Sequence, residues 1–275
     1  MTATLADLVA TFERLWPLSG ADDWDAPGLV VGSPSSGVDR VLLSVDATVS
    51  VLGEASGFDL LLTHHPALLR GVNTLSSTTA KGMLVEKAIR QGTAIYAAHT
   101  NADIVQHGVS DTLAKALGLN AVRPLVITGD TETGASKGHG RFGFVEGDST
   151  LGDLARRLAE LLPATAQGVR VAGEYVKPVE RVALCAGAGD AFLEAALEQQ
   201  ADVYITSDLR HHPVQEALES AAAMGRDFAL IDISHWAAEW LWLEVAASQL
   251  RAAHPSVVFE VSDLRTDPWE FVITQ

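Results

Sequence analysis

The chain has 275 residues, of which 48% are hydrophobic, and it carries a formal net charge of −16. This length suits one or two domains. No apolar run reaches the roughly 18 residues of a membrane helix, and the acidic charge argues against the basic surfaces that bind nucleic acid or anionic membranes. The single cysteine, Cys185, and the absence of a signal-like start favour a reducing compartment. We therefore expect a cytoplasmic protein without membrane or nucleic-acid partners.

Strand-like apolar runs alternate with helix-like segments in the first half of the chain, which is typical of an α/β protein with parallel strands. The first residues predict an amphipathic helix with Leu5, Leu8 and Phe12 on its apolar face. The other predicted elements are strands at 40–46, 58–63 and 94–98, one helix that ends near 56 and a second helix that spans about 79–91.

The second half repeats this alternation. Its predicted strands lie at 181–186, 202–206, 228–233 and 257–262, and its helices at about 190–200, 213–224 and 235–253. The connecting segment 121–178 contains a Gly-rich loop, the strand RFGFV, a helix from Thr150 to about Leu162 and the strand VRVAG. It either adds strands to the sheet or forms a subdomain of its own.

Short sequence matches indicate that the two halves are related. RVLL at 40–43 matches RVAL at 181–184, and DLLLT at 59–63 matches DVYIT at 202–206. The fold class predicted is therefore α/β, with two related lobes whose mostly parallel sheets face a shared metal cleft. The first lobe is expected to span 1–120, and the second 121–275 including the connecting segment.

Histidines and carboxylates follow the predicted strands at their carboxyl ends, where ligands collect in parallel α/β sheets. The sequence LLTHHP places His64 and His65 directly after one strand. The other members of this set are His99 and Asp103, His211 with His212, and His235 with Glu239.

These side chains are candidate metal ligands. Adjacent residues at a strand end point to opposite sides, so His64 and His65 would each serve one of two ions roughly 3.5 to 4 Å apart. His235 and Glu239 lie at i and i+4 on one helix face and can reach the same centre. Imidazole and carboxylate donors suit zinc, iron, manganese or nickel, and the sequence does not choose among them.

Four motifs in this order resemble one known family: LLTHHP, AIYAAHTNAD, DVYITSDLRHH and ALIDISHWAAEW. They resemble the interacting-factor-three-like (Nif-three) family of dinuclear metal centre proteins, whose bacterial members are called GTP cyclohydrolase 1 type 2 homologues. The likeness runs from ADDWDAPGLVVGSP at 21–34 to TDPW at 266–269. The resemblance implies a two-lobed α/β fold, two divalent metal ions per subunit and a homohexamer.

The metal ligands implied by the resemblance are His64, His65, Asp103, His235 and Glu239, with Glu239 touching both ions. Two features depart from the family pattern. Ser234 stands where glycine often precedes the ligand histidine, and we expect it to cap the following helix. The connecting segment is too short for the domain inserted in long members, so the chain resembles the compact form.

Two functions remain open. The first is a metal-dependent hydrolase of the GTP cyclohydrolase 1 type 2 homologue kind, acting on a small molecule. His99, His211 and Asp208 are then the candidates for proton transfer, and Arg70 and Arg210 for holding phosphate. The alternative is a non-catalytic hexameric scaffold, or a protein that stores or delivers metal. A serine hydrolase is disfavoured because no G-x-S-x-G motif occurs.

Overall fold

The structure is a computed structural model, and it describes residues 3–130 and 136–274. Residues 131–135 of the predicted Gly-rich loop lie outside the described residues. The chain divides into two compact units, one of Met1–Val105 with Trp242–Thr266 and one of Gln106–Leu241 with Asp267–Gln275. This division differs from the expected one at residue 120, because the segment after Leu241 returns to the first unit.

The first unit is built around a five-stranded sheet. In chain order its elements are β1 (Ala3–Thr4), α1 (Leu5–Leu15), β2 (Gly28–Val31), β3 (Gly37–Val38), β4 (Arg40–Ser44), α2 (Val49–Glu54), β5 (Leu60–Thr63), α3 (Ala80–Gln91), β6 (Ala94–Ala97) and α4 (Thr100–Asp103). The first-unit segment after Leu241 contributes a further strand to this sheet. This strand, at Val258–Val261, pairs with β4. The sheet therefore includes a strand from the last part of the sequence.

The second unit is built around a six-stranded sheet. Its elements are α5 (Val109–Ala116), β7 (Asn120–Arg123), β8 (Val126–Asp130), β9 (Ser136–His139), β10 (Arg141–Phe144), α6 (Leu151–Leu161), β11 (Arg170–Ala172), β12 (Arg181–Ala188), α7 (Leu193–Glu198), β13 (Val203–Ser207), α8 (His211–Ala223) and β14 (Ala229–Ile233). The chain then forms α9 (His235–Ala253) and β15 (Val258–Val261). The unit boundary falls within α9.

The first sheet has the order β15-β4-β5-β6-β2, and all pairs are parallel except β2 with β6. Strand β5 is buried at every residue, as expected of a short apolar run in a sheet covered on both faces. The sheet thus confirms the predicted strands. The antiparallel edge strand β2 was not predicted.

The second sheet has the order β11-β14-β13-β12-β10-β7. Its central strands β12, β13 and β14 are parallel, whereas β10, β7 and β11 join antiparallel. The connecting segment therefore adds strands to the sheet of the second unit, which answers the question that its sequence leaves open. A two-stranded sheet of β8 and β9 accompanies it.

The same local arrangement recurs in the two units. In the first, one oxygen of Asp59 accepts hydrogen bonds from the backbone N–H groups of Asp39 and Arg40 at 2.8 and 2.9 Å. In the second, Asp202 accepts from Glu180 and Arg181 at 3.1 and 2.7 Å. Both aspartates begin the matching motifs DLLLT and DVYIT, so the sequence repeat has a structural counterpart.

Helix starts follow the sequence closely. Thr4 is the N-cap of α1 and Thr150 is the N-cap of α6. Each forms a reciprocal capping box with the aspartate three residues later. Helix α8 begins at His211, two residues before the predicted start.

Within the described ranges, 3–130 and 136–274, no helix combines the length and apolar character required to cross a membrane.

Candidate functional site

His64 and His65 extend β5 at its carboxyl end. Their backbone N–H groups continue the parallel pairing, donating to Ser44 and Val45 carbonyls at 3.1 and 2.8 Å. His64 is buried and His65 half-buried. The pairing fixes the backbone of both residues, and hence the positions from which their imidazoles extend.

His99 follows the neighbouring strand β6 and lies close to both of them. Its ring centroid is 5.1 Å from that of His64 and 5.5 Å from that of His65. Each ring has one nitrogen that lies within 4.8 Å of a nitrogen of each of the other two rings. We call His64, His65 and His99 the triple-histidine cluster. Its members are close enough to hold a metal ion.

Asp103 ends the short helix α4, which begins directly after His99. One of its carboxylate oxygens lies 3.7 Å from Nε2 of His64. A half-exposed carboxylate beside an imidazole nitrogen is a suitable second donor for a hard or borderline cation. The structure thus brings together the three ligands predicted in the first unit, His64, His65 and Asp103, and adds His99.

Each ring of the triple-histidine cluster is held through its Nδ1 atom. Nδ1 of His64 donates to the carbonyl of Ala98 at 2.8 Å. Nδ1 of His65 lies 2.7 Å from Asp46, and Nδ1 of His99 lies 2.7 Å from Asp25. Because these partners are acceptors, they favour the tautomer with the proton on Nδ1 and leave the lone pair on Nε2. Metal-binding histidines in proteins are held in this way.

Asp25 is held by several hydrogen bonds. Its buried side chain accepts from Nδ1 of His99 and from the hydroxyl and backbone N–H of Thr100 at 2.6 and 3.1 Å. Burial acts to raise the pKa of Asp25, but the hydrogen bonds from His99 and Thr100 outweigh it and lower the pKa to about 2. Asp25 is therefore ionised at neutral pH.

The second unit carries its own pair of donors at the start of α9. Nε2 of His235 lies 2.8 Å from a carboxylate oxygen of Glu239, one helical turn later. Nδ1 of the same ring lies 2.6 Å from Asp208, which follows β13. Glu239 is buried. The spacing at i and i+4 predicted from the sequence thus brings the two side chains together.

The surroundings of His235 favour positive charge. Burial opposes protonation, but the carboxylates of Glu239 and Asp208 outweigh it and raise the pKa of His235 well above its ordinary value. A site that stabilises a proton between two carboxylates also suits a metal cation in the proton's place. The donor chemistry of the His235–Glu239 pair therefore fits a divalent ion.

Gly187 leaves room for this pair. The residue has a φ of +80°, and a Cβ at this position would lie 2.5 Å from Oε1 of Glu239 and 3.4 Å from Nε2 of His235. A side chain would therefore collide with the carboxylate. Gly187 lies in the motif ALCAGAGD, from which no functional residue was predicted.

The remaining predicted residues lie elsewhere. His211 and His212 are exposed at the start of α8, with ring centroids 5.2 Å apart. Arg210 is exposed and forms an ion pair with Asp190 at 2.5 Å. Arg70 is exposed in the segment after β5. Of the candidates for proton transfer and phosphate binding, only His99 and Asp208 contact a predicted metal ligand in the contacts described above.

Asp25, Asp46 and Gly187 were missed by reasoning from the sequence. Asp25 lies in the motif ADDWDAPG, which supports the family resemblance but follows no predicted strand. Asp46 ends the apolar run RVLLSVD, and its position at a strand end was an available signal. Gly187 gives no signal in a single sequence beyond its position at the end of a strand.

The fold and its donor sets define an α/β protein with candidate metal ligands after its parallel strands. The family model of Duf34/NIF3 (NGG1p interacting factor 3) matches residues 3–268. The chain belongs to this family, which confirms the resemblance found in its motifs.

Relatives agree with this assignment, and solved structures share the fold. The chain is 43% identical over 271 residues to the GTP cyclohydrolase 1 type 2 homolog of Streptomyces coelicolor, covering 96% of this chain and 93% of the relative. The crystal structure of a Bacillus cereus protein related to NIF3 has a TM-score of 0.89 at 23% identity, covering 99% and 100% of the two chains. For a Staphylococcus aureus protein the TM-score is 0.87 at 27% identity, with the same coverage.

Proposed function

We propose that the chain binds two divalent metal ions. The proposed ligands are His64, His65, Asp103, His235 and Glu239. The observation that carries this proposal is the Nδ1 anchoring of four histidines by a carbonyl or a carboxylate. Zinc, iron, manganese and nickel all suit these donors.

We further propose that the bound ions serve a hydrolytic reaction. Paired divalent ions activate water for attack near neutral pH and stabilise the charge that develops on the substrate. Asp46 and Asp208 would keep the His65 and His235 rings in one tautomer and orientation. His99, whose Nδ1 is fixed by Asp25, would present Nε2 beside the ligands and is the candidate for proton transfer.

The substrate class follows from the relatives. The Streptomyces coelicolor relative is named a GTP cyclohydrolase 1 type 2 homolog, and we propose a reaction of that kind on a small molecule. His211, Arg70 and Arg210 stay as proposals for proton transfer and phosphate binding. Arg210 would have to exchange its ion pair with Asp190 for a phosphate.

A non-catalytic role is the second candidate. A chain with a net charge of −16, in which one of the two proposed phosphate-binding arginines already pairs with an aspartate, is poorly prepared for a triphosphate. These observations favour storage or delivery of metal, or a scaffold.

Metal analysis of Glu239→Ala tests the shared basis of both functions. Removing one buried ligand should reduce the bound metal from two ions per chain, as measured by mass spectrometry of purified protein. Full occupancy in the variant would contradict the ligand assignment. Glu244→Ala, which removes an exposed carboxylate from the same helix, serves as the control and should keep both ions.

A turnover screen separates the two functions. Metal-loaded protein should release product from nucleotides or phosphoesters, and Glu239→Ala should not. A fully loaded protein without turnover would favour storage or scaffolding instead. Activity that persists in the variant would identify a contaminating enzyme.

The proposed assembly is a homohexamer in the cytoplasm. Light scattering of the purified protein should give a mass about six times the 29.1 kDa of the chain. A monomeric mass at working concentrations would contradict this proposal without affecting the metal ligands.

A further inference from the structure

We infer that the second unit contains a pocket for a planar nitrogen heterocycle, beside the carboxylate that holds His235. The cavity has a volume of about 460 Å³ and is lined by Gln167, Arg170, Asp208, Leu209, Trp269 and Phe271. Its size falls in the usual range of small-molecule sites, which is about 300 to 1,000 Å³. The inference deepens the proposed function, because it names the class of substrate.

One wall of this heterocycle pocket is polar and is organised by Asp232. Asp232 is buried in β14 and accepts hydrogen bonds from the Arg170 guanidinium and from the Gln167 amide, the latter at 3.0 Å. Its other oxygen accepts from the backbone N–H of Leu209 at 3.2 Å. The polar groups are therefore held in place before a ligand arrives.

The other wall is aromatic and is fixed to the same strand end. Trp269 and Phe271 leave 64% and 77% of their surfaces exposed. The backbone N–H of Trp269 donates to Asp267 at 3.0 Å, and the buried Asp267 accepts from the hydroxyl of Ser234 at 2.5 Å. Exposed aromatic side chains on an anchored backbone are typical of binding surfaces.

Both walls are linked to the candidate metal ligand His235. Asp232 and Ser234, which hold the walls, lie just before His235 in the chain, and Asp208 both lines the cavity and holds Nδ1 of His235. Asp208 has a φ of +57°, a conformation that costs a non-glycine residue free energy and is common at functional sites. A ligand in the pocket would thus lie beside the group that orients His235.

The lining selects the ligand class. The Arg170 guanidinium has five N–H donors, of which Asp232 uses part, and Arg170 is 60% exposed in its side chain. The Gln167 amide donates to Asp232 through its nitrogen, so this bond does not use its carbonyl oxygen, which is an acceptor. Arg170 and Asp232 cancel in charge. An uncharged flat ring with donors and acceptors along one edge fits this lining better than a bare phosphate does.

Calorimetry with guanosine tests the pocket, since guanosine carries such a ring and no phosphate. The metal-loaded protein should bind guanosine, and Trp269→Ala should weaken its affinity about tenfold, the typical value of one stacked base. Trp269→Phe keeps an aromatic face and should retain most of the affinity. Ile127→Ala removes another exposed apolar side chain of the same unit and should change nothing.

Three results would overturn the inference. These are undetectable guanosine binding by metal-loaded protein, equal affinity in wild type and Trp269→Ala, and ribose binding that matches guanosine. A Trp269→Ala variant with altered assembly mass and unchanged guanosine affinity would assign the aromatic wall to contacts between copies instead. Metal content is measured on every sample, so loss of the pocket with two ions bound leaves the proposed metal site intact.

Discussion

At the scale of single residues, the partners of the histidines determine what the imidazoles can do. Asp46, Asp25 and Asp208 each hold one Nδ1 atom, and the carbonyl of Ala98 holds the fourth. Replacing such partners in metal sites typically weakens metal binding by about 10- to 100-fold. Asp25 also contributes to the pH dependence of stability.

Asp25→Asn should change how stability depends on pH. The pKa of Asp25 is lowered from 3.8 to about 2, so its ionised form stabilises the folded chain above its ordinary pKa and this contribution is lost as the pH falls towards about 2. The shift corresponds to about 2 kcal/mol. Urea unfolding of metal-free protein should show lower stability of the variant at neutral pH and a smaller decline between about pH 4 and about pH 2.

Asp23→Asn, an exposed neighbour in the same segment, is the control for this comparison. It should follow the wild-type pH profile. Parallel profiles for wild type and Asp25→Asn would show that the hydrogen bonds to His99 and Thr100 contribute nothing to stability.

Gly187→Ala should reduce metal affinity as well as stability. The new Cβ would approach Oε1 of Glu239 to 2.5 Å at a φ of +80°, and the left-handed conformation alone costs alanine about 1 kcal/mol. Gly225→Ala is the matched control, because Gly225 has a φ of +67° and nothing within 4 Å of the added atom. Thermal unfolding and metal titration should show destabilisation in both variants and weaker metal binding only in Gly187→Ala.

The candidate ligands were accessible to sequence reasoning, whereas most of their partners were not. His64, His65 and His235 follow apolar strands, so their positions can be read from the alternation of elements. Asp25 reaches His99 across 74 residues of sequence. Such a pairing depends on the path of the loop before β2, which no local pattern predicts.

At the scale of elements, the residues at the ends of helices show most clearly how neighbouring residues determine local structure. The capping box of α6 joins Thr150 and Asp153 through three hydrogen bonds of 2.6 to 3.2 Å, and the capping function of Ser234 is confirmed by its bond from the N–H of Ala237 at 3.3 Å. The cap by Ser234 was predicted because it depends only on neighbouring residues.

Thr150→Ala should destabilise the second unit by about 1 kcal/mol, the usual value of an N-cap. The measurement is chemical unfolding of Thr150→Ala, Asp153→Ala and the double variant. Because the two side chains cap each other, the double variant should lose less than the sum of the single losses. Additive losses would contradict a reciprocal capping box.

The elements that escaped prediction are mainly edge strands. β2 lies at the edge of the first sheet, and β7 lies at the edge of the second sheet and is largely exposed. Such strands lack the buried apolar run that marks β4, β5 and β13. Their pairing is decided by the sheet they join and not by their own sequence.

At the scale of the whole molecule, the repeat of β-strand order explains why donors occur in both units. β6 is followed by His99, and β14, its counterpart in the second sheet, is followed by His235. The repeat was predicted from short motifs in the same order. The reassignment of Trp242–Thr266 to the first unit was not, because it depends on the pairing of β15 with β4.

That pairing has a consequence for the order of events during synthesis. β4 at Arg40–Ser44 is translated long before its partner β15 at Val258–Val261, so one edge of the first sheet stays open while the residues between them are synthesised. An open edge with apolar residues is a site for association with other nascent chains. The buried residues of β4 thus lack this neighbouring strand during that time, and chaperone binding to the nascent chain is expected there.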